Sequence, residues 1–187
     1  IEKGVDLNII QGQHGIYLGK AVAIQNIDAY SKRDFDKPNR DARVGMLPPK
    51  LAQIMINLAG DSKTIYDPFC GTGTVPMEAL LMKKDAIGSD IDERLVDYSE
   101  KNLQWLEHEF ETTNKYRIFK SDAQDLTKED LPEEIDAIVT EGYLGTPLSN
   151  EPDEYTIDKI FSELLDLHAN WLKRAHELTP AHCKIVM

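Results

Sequence analysis

Four acidic residues stand where a chain of alternating apolar and helical stretches could use them. Asp67, Asp90, Asp122 and Glu141 each close or closely follow a short apolar run. The first run turns through Asp67-Pro68-Phe69-Cys70-Gly71-Thr72-Gly73-Thr74. Its two glycines permit a tight turn and a close approach of backbone to a ligand. Carboxylates beyond strand ends accept hydrogen bonds from hydroxyl and amino groups and balance a cation. Glu141-Gly142-Tyr143 is a different kind of set: an acceptor carboxylate, a backbone carbonyl and an aromatic ring in one short loop.

Three nucleotide-like ligands compete for the glycine loop. A P-loop needs Gly-Lys-Ser/Thr at the helix start. Here the chain reads Gly73-Thr74-Val75-Pro76, with no lysine. A dinucleotide loop needs a third glycine where Pro76 stands, and it would set a pyrophosphate beside Asp67. S-adenosylmethionine fits better. It has no phosphate, and its ammonium and sulfonium suit an acid at Asp67. Its ribose diol wants a carboxylate after the second strand, where Asp90 stands. Its adenine amino group wants an acceptor after the third, where Asp122 stands. Each acid also has a simpler reading as a cap or turn residue. Asp92 reads as a helix cap, and Cys70 as a small loop residue rather than a reactive thiol.

The elements that position these residues follow from periodicity. Ile16, Leu18, Val22, Ile24 and Ile27 alternate about Gly19-Lys20, which predicts a hairpin. Residues 28–48 are polar and carry Lys32, Arg33, Lys37, Arg40 and Arg43, as a solvated connector or a ligand-facing loop. Pro48-Pro49 opens a helix with Leu51, Ile54, Met55 and Leu58 on one face, and Gly60 closes it. Strands are predicted at 63–67, 85–90, 116–120 and 135–140, with another beginning at 184. Helices are predicted at 74–84, 92–111 and 157–175. Residues 121–134 read as a charged connector, solvated apart from its first two residues, Ser121 and Asp122. Such alternation implies an α/β fold, a mostly parallel sheet with helices on both faces. In that architecture ligands bind beyond the carboxyl ends of the strands, and all four acids fall on that rim. Residues 1–48 form a hairpin and basic connector; 49–187 form the sheet domain.

Composition narrows the function classes. Apolar residues make up 41% of the 187, enough to build a core. No apolar run is long enough to span a bilayer, so a soluble, cytoplasmic protein without membrane partners is expected. The chain starts with Ile1 and stops within the apolar run Lys184–Met187, as expected of a piece of a longer protein. Cys70 and Cys183 make no disulfide framework, and the histidines show no metal-ligand spacing with them. The 33 acids against 21 bases give a net charge of −12, which repels phosphate backbones. Trp105, Trp171 and His168 read as packing residues on helix faces.

Together these motifs resemble a known family. Asp67–Thr74 with Glu78-Ala79 resembles the first motif of the RNA methylases that include the THUMP-associated, archaeal-type tRNA guanine-N2 methyltransferases. Arg40–Gln53 is similar to the stretch preceding that motif. Gly88–Asp92 and Ser121-Asp122-Ala123 are similar to the second and third cofactor motifs. The resemblance covers roughly residues 16–187. It implies a Rossmann-like class I methyltransferase domain using S-adenosyl-L-methionine, with a sheet continuing past its fifth strand into a closing hairpin that this chain lacks. It assigns cofactor contacts to Asp67, Phe69, Cys70, Gly71 and Gly73, to Asp90 and Ile91, and to Asp122 and Ala123. It implies a tRNA or other RNA partner, captured by an N-terminal region absent from this chain.

One motif departs from the family. After the fourth strand the family carries Asp-Pro-Pro-Tyr or a close variant, whose acid and carbonyl accept hydrogen bonds from the target amine while the ring stacks on the base. Here the chain reads Thr140-Glu141-Gly142-Tyr143-Leu144-Gly145. The carboxylate is one methylene longer, proline's rigidity is lost at Gly142, and the aromatic comes one position early. The expected activity is methylation of guanine N2 in tRNA, with Glu141, Gly142 and Tyr143 as catalytic residues and no metal. The rival readings are a cofactor-binding module with lost or altered catalysis and a methyltransferase for DNA base amines.

Overall fold

The apolar runs that end in acids become neighbouring strands of one sheet. The computed structural model describes residues 6–41, 45–131, 135–148 and 150–187. Arg43 and its neighbours at 42–44, and 132–134 in the charged connector, lie outside the described residues. In chain order the elements are β1 (Leu7–Gly12), β2 (Gly15–Lys20), α1 (Ile27–Ser31), α2 (Pro49–Leu58), β3 (Thr64–Asp67), α3 (Thr74–Leu81), β4 (Asp85–Asp90), α4 (Glu93–Phe110), β5 (Tyr116–Lys120), β6 (Ala137–Val139), α5 (Glu154–Leu178) and β7 (Lys184–Val186). A π-helical segment, Lys32–Asp36, continues α1.

Strands β5, β4, β3, β6 and β7 lie side by side in that order, all parallel. The order reverses at β3, and the crevice beyond its carboxyl end is where such sheets bind ligands. Alternate residues of each strand serve opposite faces. Ile65, Ala86, Ile118, Ala137 and Val139 pack under α2, α3 and α4, against Ile56, Leu80, Leu103 and Leu106. Tyr66, Ile87 and Ile138 face the other way, onto Leu126 and α5 residues Trp171 and Ala175. Helices therefore cover both faces, as the alternation predicts. Among the described residues no helix is long and apolar enough to cross a membrane.

Two N-terminal expectations need correction. The hairpin forms, but earlier in the chain than the alternation suggests. β1 and β2 pair antiparallel with Gly12 opposite Gly15, so Gln13-His14 makes the turn. Glycines flank that turn, and Gly15 takes a positive φ of 149°. Gly19-Lys20 ends β2, and Ile27 starts α1 behind an Asn26 cap that accepts from the Ala29 N–H. The predicted second strand does not form.

The basic segment is neither a solvated connector nor a ligand-facing loop at its two central residues. Arg33 is buried and donates to both carboxylate oxygens of Glu78 on α3, at 2.6 and 3.2 Å. Its guanidinium lies 4.5 Å over the Tyr30 ring. Lys37 is also buried and donates to Thr74 Oγ1 at 3.1 Å and Thr72 Oγ1 at 3.4 Å. A buried charge persists only when partnered, and α3 supplies the partners. The segment is thus strapped across the back of the glycine loop.

Candidate functional site

β3 ends in Asp67, and the chain then turns with two of its residues in backbone conformations that favour glycine. Gly71 and Gly73 both take left-handed backbone, φ 54° and 85°. A Cβ on Gly73 would meet Ser99 Oγ at 3.0 Å, so α4 can pack directly on the turn. Ser99 Oγ donates to the Gly71 carbonyl at 2.7 Å. Asn102, also on α4, donates to the Thr72 carbonyl at 2.8 Å and pairs with the backbone of Asn39. The loop is therefore held from α4 below and from the 37–39 strap behind.

A cleft of about 620 Å³ opens in front of it. Asp67, Phe69, Cys70 and Gly71 line one wall, Asp90, Ile91, Asp122 and Ala123 another, and Glu141, Gly142 and Tyr143 a third. Of the sequence-predicted site residues only Gly73 stands back from the lining, as a turn residue against Ser99. Gly45, Met46 and Leu47, just before α2, and Leu144–Pro147 also border the cleft. Sequence reasoning placed Gly45–Leu47 and Leu144-Gly145 within motifs but did not assign them to the site, because none carries an ionisable or nucleophilic group.

The acids differ in environment. Asp67 is buried at 3% exposure and accepts from the Phe69 N–H at 3.0 Å. Burial pushes its carboxyl up to about 7, against the opposing pull of hydrogen bonds from Thr140 and Phe69; the nearby Asp90 and Glu141 charges add to the rise. Such a group ionises more readily once a cation sits beside it. Asp90 is held by two backbone donors, Gly71 N–H at 3.0 Å and Asp92 N–H at 2.9 Å. Burial raises its carboxyl too, and those N–H groups oppose the rise. Asp122 accepts from the Gln124 N–H at 2.9 Å, so it makes a turn as well as facing the cleft. Asp92 caps α4 through the Arg94 N–H, as its position suggested.

Cys70 is buried, and burial together with Asp67 pushes its thiol upward, away from thiolate chemistry. Its small side chain lies against Gly88, where an added Cβ would come 3.0 Å from Cys70 Cβ and 2.8 Å from Ile118 Cδ1. Close passage of the loop over β4 thus requires glycine at 88.

The third wall is Glu141-Gly142-Tyr143, at the end of β6. Glu141 and Tyr143 are exposed, and the Tyr143 hydroxyl lies 3.2 Å from Thr146 Oγ1. Gly142 takes φ 74°, with a Cβ position only 3.0 Å from the His168 ring. Sequence reasoning passed over Thr140, a hydroxyl fully buried at the end of an apolar strand. It also passed over Ser99 and Asn102. Their signal was a polar pair interrupting the apolar face of α4 between Leu95 and Leu106.

This geometry suits S-adenosylmethionine: a buried acid for a cation, a fixed carboxylate for a diol, and a glycine turn where, among the described residues, no basic side chain lines the cleft. Known proteins point the same way. A family model described as an RMKL-like methyltransferase domain matches residues 38–178. A tRNA (guanine(10)-N2)-dimethyltransferase of Methanothermobacter thermautotrophicus is 40% identical over 129 residues, 67% of this chain and 35% of the relative. One from Pyrococcus abyssi is 31% identical over 157 residues, 81% of this chain and 45% of the relative. This chain therefore spans less than half the length of either. In fold it is similar to TrmN from Thermus thermophilus, with a TM-score of 0.53 at 22% identity, over 94% of this chain and 46% of that one. A parallel sheet with its acids on one rim, and a family match across most of its length, mean that this chain belongs to the RMKL-like methyltransferase domains, with a class I methyltransferase fold and S-adenosylmethionine as the cofactor of that class.

Proposed function

We propose that this domain methylates an exocyclic amine of an RNA base, guanine N2 of tRNA, as the catalytic part of a longer protein. The observation that carries the reading is the shared cleft: Glu141, Gly142 and Tyr143 border the same space as Asp67, Asp90 and Asp122. S-adenosylmethionine, when bound, supplies an electrophilic methyl group. Asp67 balances its ammonium, Asp90 holds its ribose hydroxyls, and Asp122 accepts from its adenine amino group. Ile91 and Ala123 flank the ring.

The acceptor side is the work of the third loop. The lone pair of an exocyclic amine is delocalised into the base. Hydrogen bonds from that amine to the Glu141 carboxylate and the Gly142 carbonyl localise the lone pair and aim it across the cleft. The Tyr143 ring holds the base, which must leave its stack to reach the rim. Catalysis here is positioning and electrostatics, without a covalent enzyme intermediate. The relatives named above are tRNA (guanine(10)-N2)-dimethyltransferases, and this supports the substrate class. RNA capture is assigned to a basic region beyond this chain, because the chain's own charge of −12 opposes it.

In the full-length protein, Glu141→Ala is expected to lower tRNA methylation at least about a hundredfold, since it removes a group that positions the amine. Cofactor affinity should stay within about threefold. Undiminished methylation would remove Glu141 from the mechanism. The missing proline at 142 favours one other reading, a cofactor-binding module without catalysis. Nucleoside mass spectrometry of tRNA from a strain lacking the protein separates the two: loss of a methylated guanosine supports the enzyme, and an unchanged profile the module.

A further inference from the structure

The acceptor loop lacks the proline that stiffens its counterpart in related enzymes, yet its backbone is held on both sides. Gly142 N–H donates to Thr140 Oγ1 at 3.1 Å. The Thr140 hydroxyl also acts on the buried Asp67 carboxyl, opposing the rise that burial imposes there. One residue on, the Tyr143 carbonyl lies 3.0 Å from His168 Nε2 on α5. The tautomer of His168 follows from its other nitrogen. Trp171 Nε1, which can only donate, is 2.9 Å from His168 Nδ1. Nδ1 is therefore the acceptor, and the proton sits on Nε2, aimed at the Tyr143 carbonyl. The imidazole is steadied by Trp171, which is fully buried, and packs beside Phe69 with ring centres 6.3 Å apart.

We propose that Thr140 and His168 are positioning residues that clamp the Gly142–Tyr143 segment from opposite ends and supply the rigidity that proline would otherwise give. The clamp needs glycine at 142 for two reasons. Its φ of 74° lies in the left-handed region, which proline, fixed near −65°, cannot reach. Its N–H is the donor to Thr140, and proline has none. Gly142→Pro, which brings the loop closer to the family motif, is therefore expected to damage it.

This inference rests on the function proposed above for its catalytic readout, so the test carries a second readout that does not. In the full-length protein, amide hydrogen exchange over residues 141–147 is measured for Thr140→Val, Thr140→Ser, His168→Leu, His168→Gln and Gly142→Pro. Thr140→Val and His168→Leu should speed exchange in that segment about tenfold, the change that follows from losing about 1.4 kcal/mol of protection. Thr140→Ser keeps the hydroxyl, and His168→Gln keeps a donor near the Nε2 position. Both should restore exchange to within about threefold. With tRNA, His168→Leu should lower kcat on the order of tenfold to a hundredfold while the cofactor Kd stays within about twofold. His168→Gln should recover most of kcat. Gly142→Pro should lose activity. Unchanged exchange in Thr140→Val and His168→Leu, or a Gly142→Pro protein as active as the parent, would overturn the clamp. Altered exchange with the expected rescue, in a protein that never methylates RNA, would uphold the clamp and sink the catalytic reading.

Discussion

Asp67 shows how one residue links burial, pH and cofactor. Its ordinary value is 3.8, and burial pushes it up to about 7. Between those values the folded protein keeps a proton that the unfolded chain has released. This residue's contribution to stability therefore falls as pH rises from about 4 to about 7, and is flat above. A cationic ligand prefers the carboxylate and reverses the preference. Cofactor binding below about pH 7 should expel a proton, and affinity should drop by up to about tenfold per pH unit as the solution is acidified. Calorimetry in buffers of different protonation enthalpy reads this directly. A binding enthalpy independent of buffer at about pH 6 would mean that Asp67 is already ionised, or that no cation meets it. Burial raises neighbouring Asp90 too, but two backbone N–H groups oppose that rise and orient its oxygens.

At the scale of elements, the decisive contact joins the N-terminal segment to α3. Arg33 and Glu78 are 5% and 1% exposed, and Gln53 of α2 adds a 2.6 Å hydrogen bond to the same carboxylate. Burial raises the Glu78 carboxyl, and the Arg33 guanidinium opposes that rise. Removing one partner strands a buried charge, so Glu78→Ala should destabilise the protein by about 3–5 kcal/mol. Replacing both ends, Arg33→Met with Glu78→Met, should recover most of that loss, because two apolar side chains cost no desolvation. Denaturant unfolding of the three proteins decides it. A double variant as unstable as Glu78→Ala would mean that the pair contributes through its hydrogen-bond geometry rather than through charge compensation. Sequence reading saw Glu78 only as part of a motif and Arg33 only as part of a basic cluster. Their pairing spans 45 positions and has no local signature.

Across the whole molecule, charge and cleft point in different directions. The function proposed for the cleft requires a base of an RNA to reach it, while the chain as a whole carries a net charge of −12. Phosphate contacts supply most nonspecific RNA affinity, and in this chain 33 acids outweigh 21 bases. Lys37 is buried, with its ammonium pushed down to about 8 by that burial, and Arg33 is bound to Glu78. The chain by itself should bind S-adenosylmethionine yet fail to retain tRNA in a gel-shift assay at about 0.15 M salt, where an unassisted acidic surface gains little from counterion release. Submicromolar retention of tRNA by this chain alone would show that the gripping surface lies within it.

Local sequence was enough to locate the rim. Strand-end acids, the Gly71-x-Gly73 turn and the helical periodicities are each written within a few consecutive residues, and the α/β alternation then forces them to one edge of the sheet. That is why Asp67, Asp90, Asp122 and Glu141 border one cleft as the pattern required. The hairpin was misplaced because its alternation is weak and glycines punctuate both candidate turns. What only the tertiary structure decided is how the rim is held. Asn102 reaches Asn39 across 63 positions, Lys37 reaches Thr72 across 35, and His168 reaches Tyr143 across 25. A hydrogen bond between distant residues depends on how helices pack over the sheet, and packing is a property of the whole chain rather than of any window of it.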